Sequence, residues 1–550
     1  MAPLRGLSEV NPRRRPRPEG RSGEPIHPED AIAPRGVGSA AADTIPGEPQ
    51  AEVGDRAARG VLWLTLQKWA IRVAGLLTIA VLTRVLSPED FGAVAAASAI
   101  LPFFYLLSDL GFATYIVQLP QAGRRTLATA FWFSIAAGIA LALLLFLCAP
   151  LVAKLFGTET VSPVLQALSV LVILTAISSV PLALLRRQMR FRALAVQGMV
   201  GSLVGQIVAI ACALSGLGVW ALVAQTIAAQ LVATVLACLA ARWMPSWAFS
   251  RRELGHMITF GGKVLGVEVV AMARTSGEAA VVTSVLGVTS FGYLTISQRL
   301  VQIVQELTGA ALTPVTTVAF ARIREARSRL VFAYTRALRM TYAVVTPPLL
   351  LVAVAASVII PIVFGPGWEE SVVPAQLLAL AGSIVIGATL DHGLFYGLGR
   401  PGTWLMYAVV VDIFTFATTV FVVRGGLVAV ACGFLVVATL ASLARLLLVA
   451  RVLGVSPLRL ARPGSYLVTT IIVSGSSGWL VMSLTTPWWP LVRIVLVGLT
   501  VLVVHMGVTW LLARPVYGDL VGYGRRLLGR GRPSTPAGGE APPRESGERA

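Results

Sequence analysis

Charge is scarce in this sequence. Of 550 residues only 13% are Asp, Glu, Lys or Arg, while 56% are hydrophobic and the mean hydropathy is +0.78. So little polar surface cannot cover a chain of this size in water, which excludes a soluble globular fold. Cysteine is nearly missing as well. Cys148, Cys212, Cys238 and Cys432 lie in apolar stretches without CxxC spacing. They point to small buried hydrophobes, with neither a disulfide framework nor a metal site implied. Lysine is rarer still: Lys68, Lys154 and Lys263 stand alone among 45 basic residues. No apolar core follows the cluster Arg13-Arg-Arg-Pro-Arg17 for roughly forty residues, so no signal peptide is expected there. Residues 1–57, rich in Pro, Gly, Ala and Arg, are expected to form a disordered cytoplasmic tail, and 514–550 a second tail.

Between the tails, apolar runs long enough to cross a bilayer as helices recur about 14 times. The first six are expected at 61–82, 92–113, 127–150, 164–185, 195–215 and 218–240. The next six fall at 258–284, 291–315, 340–363, 373–397, 404–423 and 426–449, and a final pair at 466–485 and 490–512. The sequence predicts an all-α polytopic membrane protein. With both termini cytoplasmic, short inner loops hold roughly 19 basic residues against 4 outside, as the positive-inside rule requires. The net charge of +19 therefore sits in loops and does not point to nucleic acid. Trp220, Trp368, Trp404, Trp488 and Trp489 fall at span ends, where an amphipathic ring favours the headgroup zone.

The chain also repeats itself. Val81-Leu-Thr-Arg-Val-Leu-Ser-Pro-Glu-Asp-Phe-Gly92 returns as Val281-Val-Thr-Ser-Val-Leu-Gly-Val-Thr-Ser-Phe-Gly292, without a gap. A second echo pairs Leu155-Phe-Gly157 and Pro163–Leu168 with Val363-Phe-Gly365 and Pro374–Leu380. Two echoes in one order predict a duplicated ground plan: two parallel six-helix repeats forming two lobes, plus a C-terminal helix pair. The expected division is 58–240 for the N-lobe, 241–257 for an interfacial helical linker, 258–453 for the C-lobe and 454–513 for the extra pair.

Charges inside spans are costly and normally face protein or water, so each needs an account. Lys68 and Arg72 share one face of the first crossing, with Arg274 in the seventh and Arg299 in the eighth. These four are the candidate cations of an anion-binding cavity, because guanidinium makes paired hydrogen bonds to phosphate oxygens. Glu268, Glu278, Glu306, Asp391 and His392 are candidates for gating or ion coupling, and Asp391-His392 for a proton relay. The bland alternative is structural: an internal Arg274–Glu278 pair at helical spacing, or Lys263 snorkelling to the surface. At the repeat offset Lys68 pairs with Glu268, which predicts an ion-paired gate at the inner mouth. Asp109 is expected to cap the Leu-Gly turn that follows it. Asp412 and His505 stand alone and receive no role. No metal site, cofactor or catalytic residue is expected.

Leu86-Ser-Pro-Glu-Asp-Phe-Gly92, Asp109-Leu-Gly111, Arg187-Gln-Met-Arg-Phe191 and Phe364-Gly-Pro-Gly-Trp368 occur in that order on these crossings. Together they resemble the polysaccharide-type (Wzx-type) flippases of the multidrug/oligosaccharidyl-lipid/polysaccharide (MOP) exporter superfamily, over about residues 58–513. The resemblance implies a V-shaped pair of lobes around a central cavity in the bacterial cytoplasmic membrane. It also implies alternating access that turns an undecaprenyl-diphosphate-linked oligosaccharide to the outer leaflet for polysaccharide synthesis. Partners would be the lipid-linked glycan, membrane lipids, and a polysaccharide polymerase or glycosyltransferases. The rival readings are a cation-coupled drug or metabolite antiporter and a peptidoglycan-precursor lipid flippase. An enzyme acting on lipid-linked sugars is disfavoured, since no expected outer loop much exceeds about a dozen residues.

Overall fold

The structure, a computed structural model, describes residues 71–72, 74–119, 123–309, 320, 323 and 326–527. Their regular structure is helical throughout, and twelve helices are long and apolar enough to cross a bilayer. The chain is a multi-pass membrane protein. Those twelve fall on twelve of the expected crossings. The remaining two, at 61–82 and 291–315, run off the described residues at one end.

The first half contains α1 (Ala74–Val85), α2 (Pro88–Ser98), α3 (Leu101–Asp109) and α4 (Phe112–Gln118). It continues with α5 (Arg124–Phe156), α6 (Val161–Leu168), α7 (Val170–Arg187), α8 (Phe191–Leu214) and α9 (Val219–Ala241). Ser87 starts α2 with a reciprocal cap: its hydroxyl accepts from Asp90 N at 3.2 Å, and the Asp90 carboxylate accepts from Ser87 N at 3.0 Å. Pro88 sits in the first turn, where its missing N–H loses nothing. Leu110 and Gly111 turn left-handed, at φ 46° and 73°, and break the second crossing. Asp109 Oδ2 accepts from Ala113 N at 3.3 Å across that break, the expected cap. Arginines at helix ends satisfy carbonyls left without a partner: Arg187 donates to Ile116 O at 3.1 Å and Arg190 to Ala240 O at 2.6 Å.

The second half runs through α10 (Arg251–Leu286), α11 (Val288–Gly309), α12 (Arg327–Phe364), α13 (Val372–Val385), α14 (Ala388–Gly397), α15 (Pro401–Val422) and α16 (Leu427–Leu453). The contacts of the first half recur here. As α7 lies between α5 and α9, so α13 lies between α12 and α16; as α8 packs on α9, so α15 packs on α16. This is the packing of a duplicated six-crossing unit. Then α17 (Pro457–Leu484) and α18 (Pro490–Leu512) pack on each other and on α12, burying Leu350, Val358, Met482 and Val501 between them. A last helix, α19 (Arg514–Leu527), begins the expected tail. It is tied back by a two-point pair in which Arg336 donates to Asp519 at 2.8 and 2.6 Å. Elsewhere leucines face outward, as at Leu147, Leu151 and Leu155, which are 65%, 66% and 64% exposed along one stripe of α5. That suits a lipid-facing helix.

Of the interfacial helix expected at 241–257, only the part from Arg251 is helical, as the first turns of α10. Residues 243–250 are irregular, with a bend at Trp247, and the helix starts only at Arg251, with Ser250 Oγ accepting from Glu253 N at 3.4 Å. Pro245 explains this, since it lacks a donor and holds Met244 out of the helical region. The segment is pinned by its aromatics instead. Trp247 stacks on Trp132 at 4.5 Å, and Trp132 Nε1 donates to Ser246 O at 2.9 Å. Trp368 also departs from expectation, for it is only 1% exposed and lies in the protein interior rather than among headgroups.

Candidate functional site

The two copies of the repeat meet each other. α2 crosses α11 at their matching glycines, and the contact is reciprocal. A Cβ on Gly92 would stand 1.9 Å from Val288 O, and one on Gly292 would stand 2.1 Å from Pro88 O. Residues 88 and 288, like 92 and 292, are equivalent at the repeat offset, so a local two-fold axis runs through the crossing. Glycine is required at both positions because the obstacle is backbone, which no rotamer change can move.

The Phe364-Gly-Pro-Gly-Trp368 turn packs against that crossing. Trp368 Nε1 donates to Thr83 O at 3.0 Å, and its ring meets Phe91 edge-on at 5.3 Å and Tyr293 at 6.0 Å. Thr83 O needs this donor: the N–H that would close its helical turn, from Ser87, is used by Asp90. In return Arg84 donates to Ile362 O at 2.7 Å, a carbonyl whose helical partner would be Pro366, which has no N–H. Each half thus caps the other at one end of the bundle.

Beyond the crossing lies a cavity of about 800 Å³ shared by both halves. Ala95 and Ser98 of α2 face it, as do their repeat equivalents Thr295 and Gln298 of α11. Charge enters the wall from the second half, with Arg274, Glu278, Asp412 and Arg445. Arg274 Nη1 reaches both Glu278 oxygens at 3.0 and 2.9 Å, one helical turn away. Its Nε stands 2.7 Å from Asp412 Oδ1 but off the N–H axis, so that contact is Coulombic more than a hydrogen bond. Gln298, Gln302 and Gln305 line the cavity from α11 as uncharged donors and acceptors.

Arg445 is buried and donates to Asp391 Oδ2 at 2.5 Å and to Tyr342 Oη at 3.1 Å. Tyr334 donates to the other Asp391 oxygen at 2.5 Å. Gly387 makes room for this cluster, because a Cβ there would fall 2.8 Å from Arg445 Nη2.

The residues singled out in the sequence are only partly brought together. Arg274 and Glu278 share the cavity wall as an ion pair. Arg72 pairs instead with Glu306 across the halves at 2.6 Å, and neither is among the cavity-lining residues. Arg299 is exposed and also does not line it. Asp391 is buried beside Arg445, whereas His392 is exposed and stacks on Tyr396 at 4.3 Å, so the two do not form a relay. Lys68 lies outside the described residues, as do the side chains of Lys263 and Glu268, and with them the expected gate. Two residues given no role in the sequence belong to the site. Asp412 joins Arg274, and Arg445 partners Asp391. The available signal for Arg445 was a lone arginine inside the apolar run 426–449.

A family profile described as "Polysaccharide biosynthesis protein" matches residues 81–373. The chain is 26% identical to the succinoglycan biosynthesis transport protein ExoT of Rhizobium meliloti (strain 1021) over 352 residues, 64% of this chain and 71% of ExoT. It is 24% identical to the lipopolysaccharide biosynthesis protein WzxC of Escherichia coli (strain K12) over 361 residues, 64% of this chain and 70% of WzxC. Among solved structures, the fold is similar to that of the lipid II flippase MurJ in an inward closed conformation. There the TM-score is 0.67 at 15% identity, over 84% of this chain and all of the other. It is also similar to an inward-facing multidrug resistance MATE family transporter of the MOP superfamily. That match has a TM-score of 0.55 at 15% identity, over 69% of this chain and 95% of the other.

Proposed function

Because the chain belongs to the polysaccharide biosynthesis protein family, we propose that it is a flippase for a lipid-linked oligosaccharide. It carries an undecaprenyl-diphosphate-linked glycan across the bacterial cytoplasmic membrane by alternating access, with 58–240 and 258–453 as the moving lobes. The observation that carries this reading is the shared cavity: about 800 Å³, lined by both halves, charged within the membrane and shut at one end by the Gly92–Gly292 crossing. With both termini cytoplasmic, that crossing is the outer gate and is closed. The partners that supply and consume such a lipid are glycosyltransferases and a polysaccharide polymerase, and the protein itself performs no covalent chemistry.

The test is translocation by the purified protein in proteoliposomes holding a radiolabelled undecaprenyl-diphosphate oligosaccharide in both leaflets. An external glycosidase should digest the entire pool when the protein is present, and only the outer-leaflet share in empty vesicles. Equal digestion in the two would refute the reading. Orientation is checked in cells with a cysteine at Glu370, in a background without native cysteines. An impermeant maleimide should reach it from outside.

One observation favours a second reading, a cation-coupled antiporter. On the cavity wall Glu278 and Asp412 both stand on Arg274, while Arg445 is matched by Asp391 behind it, so the Arg274 cluster holds acid in excess. In that case a lipophilic cation, and not the lipid-linked glycan, would be moved in the same vesicles.

A further inference from the structure

We propose that Glu278 and Asp412 are a proton site, and that the flippase takes up a proton from the aqueous phase as it binds its anionic headgroup. This rests on the flippase reading and adds a second ligand to the same cavity. Arg274 is held from two sides, by Glu278 on its own helix α10 and by Asp412 on α15. Two carboxylates on one guanidinium leave the cluster one negative charge when all three are ionised.

Nothing else on the described wall offsets that charge. Arg445 is matched by Asp391, and the residues facing the cluster from α2 and α11 are Ala95, Ser98, Gln298 and their uncharged neighbours. Arg72 and Glu306 neutralise each other away from the cavity. A diphosphate entering here therefore meets an acidic wall in a poorly polarisable medium, where like charges repel strongly. Glu278 holds Nη1 and Asp412 stands on Nε, so a two-point phosphate contact on Arg274 must displace a carboxylate. The displaced carboxylate would then sit unpaired beside a second anion, which is the costly arrangement inside a membrane.

A proton removes the conflict. Adding one to a Glu278 or Asp412 oxygen, as an O–H bond, cancels the excess and frees guanidinium donors for phosphate oxygens. Headgroup binding and protonation thus favour each other, and linkage makes the effect reciprocal. Sodium does not serve in the same way. It would have to sit beside a guanidinium and gather five or six oxygens. The lipid then crosses as a complex less negative than the lipid alone.

The measurement is calorimetric binding of farnesyl diphosphate to the full-length protein in detergent at neutral pH. It is run in two buffers of different ionisation enthalpy, so that the difference counts protons taken up. The expected result is about one proton per diphosphate, with affinity falling about tenfold as the pH is raised by one unit. The Glu278→Gln/Asp412→Asn double variant should bind with no pH-linked loss beyond the headgroup's own titration, which it serves to subtract. The wild-type measurement stands without it, and the two single variants replace it where it fails to fold. Diphosphate binding without proton uptake overturns this inference and leaves the flippase reading standing. Binding strengthened by sodium, again without proton uptake, makes it a sodium site and overturns it too. Absence of binding at any pH, with farnesol binding unchanged, overturns both.

Discussion

Adding one methyl group at the crossing of the two repeats should unlock the closed end of the cavity. In Gly92→Ala the new Cβ would lie 1.9 Å from Val288 O and 2.8 Å from its carbonyl carbon. A comfortable carbon–oxygen contact is about 3.3 Å, so the helices must part by roughly 1.4 Å there. Both obstacles are backbone, and the tight packing extends through Phe91 and Trp368. Overpacking of this kind typically costs about 1–3 kcal/mol, which corresponds to a roughly 5- to 150-fold shift away from the state with the crossing formed. Gly292→Ala should have nearly the same effect, because its Cβ would meet Pro88 O at 2.1 Å through the local two-fold. The double variant should add little, since helices already apart accept the second methyl freely. The assay places a cysteine at Ala95 on the cavity wall, with Cys148, Cys212, Cys238 and Cys432 replaced, and follows its labelling by an impermeant maleimide from outside the cell. Labelling should rise at least several-fold in either glycine variant. Unchanged labelling together with full glycan export in both would refute the argument that this crossing is the gate.

Three further outcomes follow from particular contacts. Trp368→Phe keeps the ring contacts but leaves Thr83 O without its donor. It should lower stability by about 1–3 kcal/mol, seen as a lower melting temperature in detergent. Asp391→Asn or Arg445→Gln alone strands a buried charge and should cost about 3–5 kcal/mol, while the double neutral variant should melt closer to wild type. The Arg72–Glu306 pair has one half-exposed partner, so it is worth at most about 1 kcal/mol. If it ties the halves together, Arg72→Glu should reduce export and the added Glu306→Arg should restore it, with little change in melting.

The helices were legible because apolar runs of membrane length need no tertiary knowledge to recognise. The echo of Gly92 in Gly292 was legible too, and it located the crossing without revealing the contact, since sequence spacing carries no information on which faces meet. The linker at 243–250 was misread because its aromatic and basic composition suited an amphipathic helix, while Pro245 decided the backbone. Trp368 was misread for a similar reason. Its place at a span end was correct, but the left-handed glycines Gly365 and Gly367 turn it inward onto Thr83. The cavity's charge was the least legible feature. Arg72, Arg274 and Arg299 are equal in the sequence, yet only Arg274 faces the cavity. Pairing between distant crossings, such as Arg274 with Asp412 or Arg445 with Asp391, depends on which helices are neighbours.

That pairing bears on how such a carrier works. An unpaired arginine inside the membrane would be costly in the empty protein and would hold a diphosphate too firmly to let it go. An arginine already bound to a carboxylate offers only the difference between two partners, so the headgroup enters by exchange and leaves by exchange. Exposure then separates arginines that can exchange from those that cannot. Arg445 is 6% exposed and Asp391 is fully buried, held between two tyrosines, so this pair is part of the framework. Arg274 and Asp412 are 26% and 22% exposed and face the cavity. Their two helices, α10 and α15, are joined there by a contact that a headgroup can replace. If the headgroup exchanges there as proposed, loading the cavity would weaken a tie within the second half while the Gly92–Gly292 crossing still held the far end. On that proposal, substrate binding and the loosening of that half would be one event.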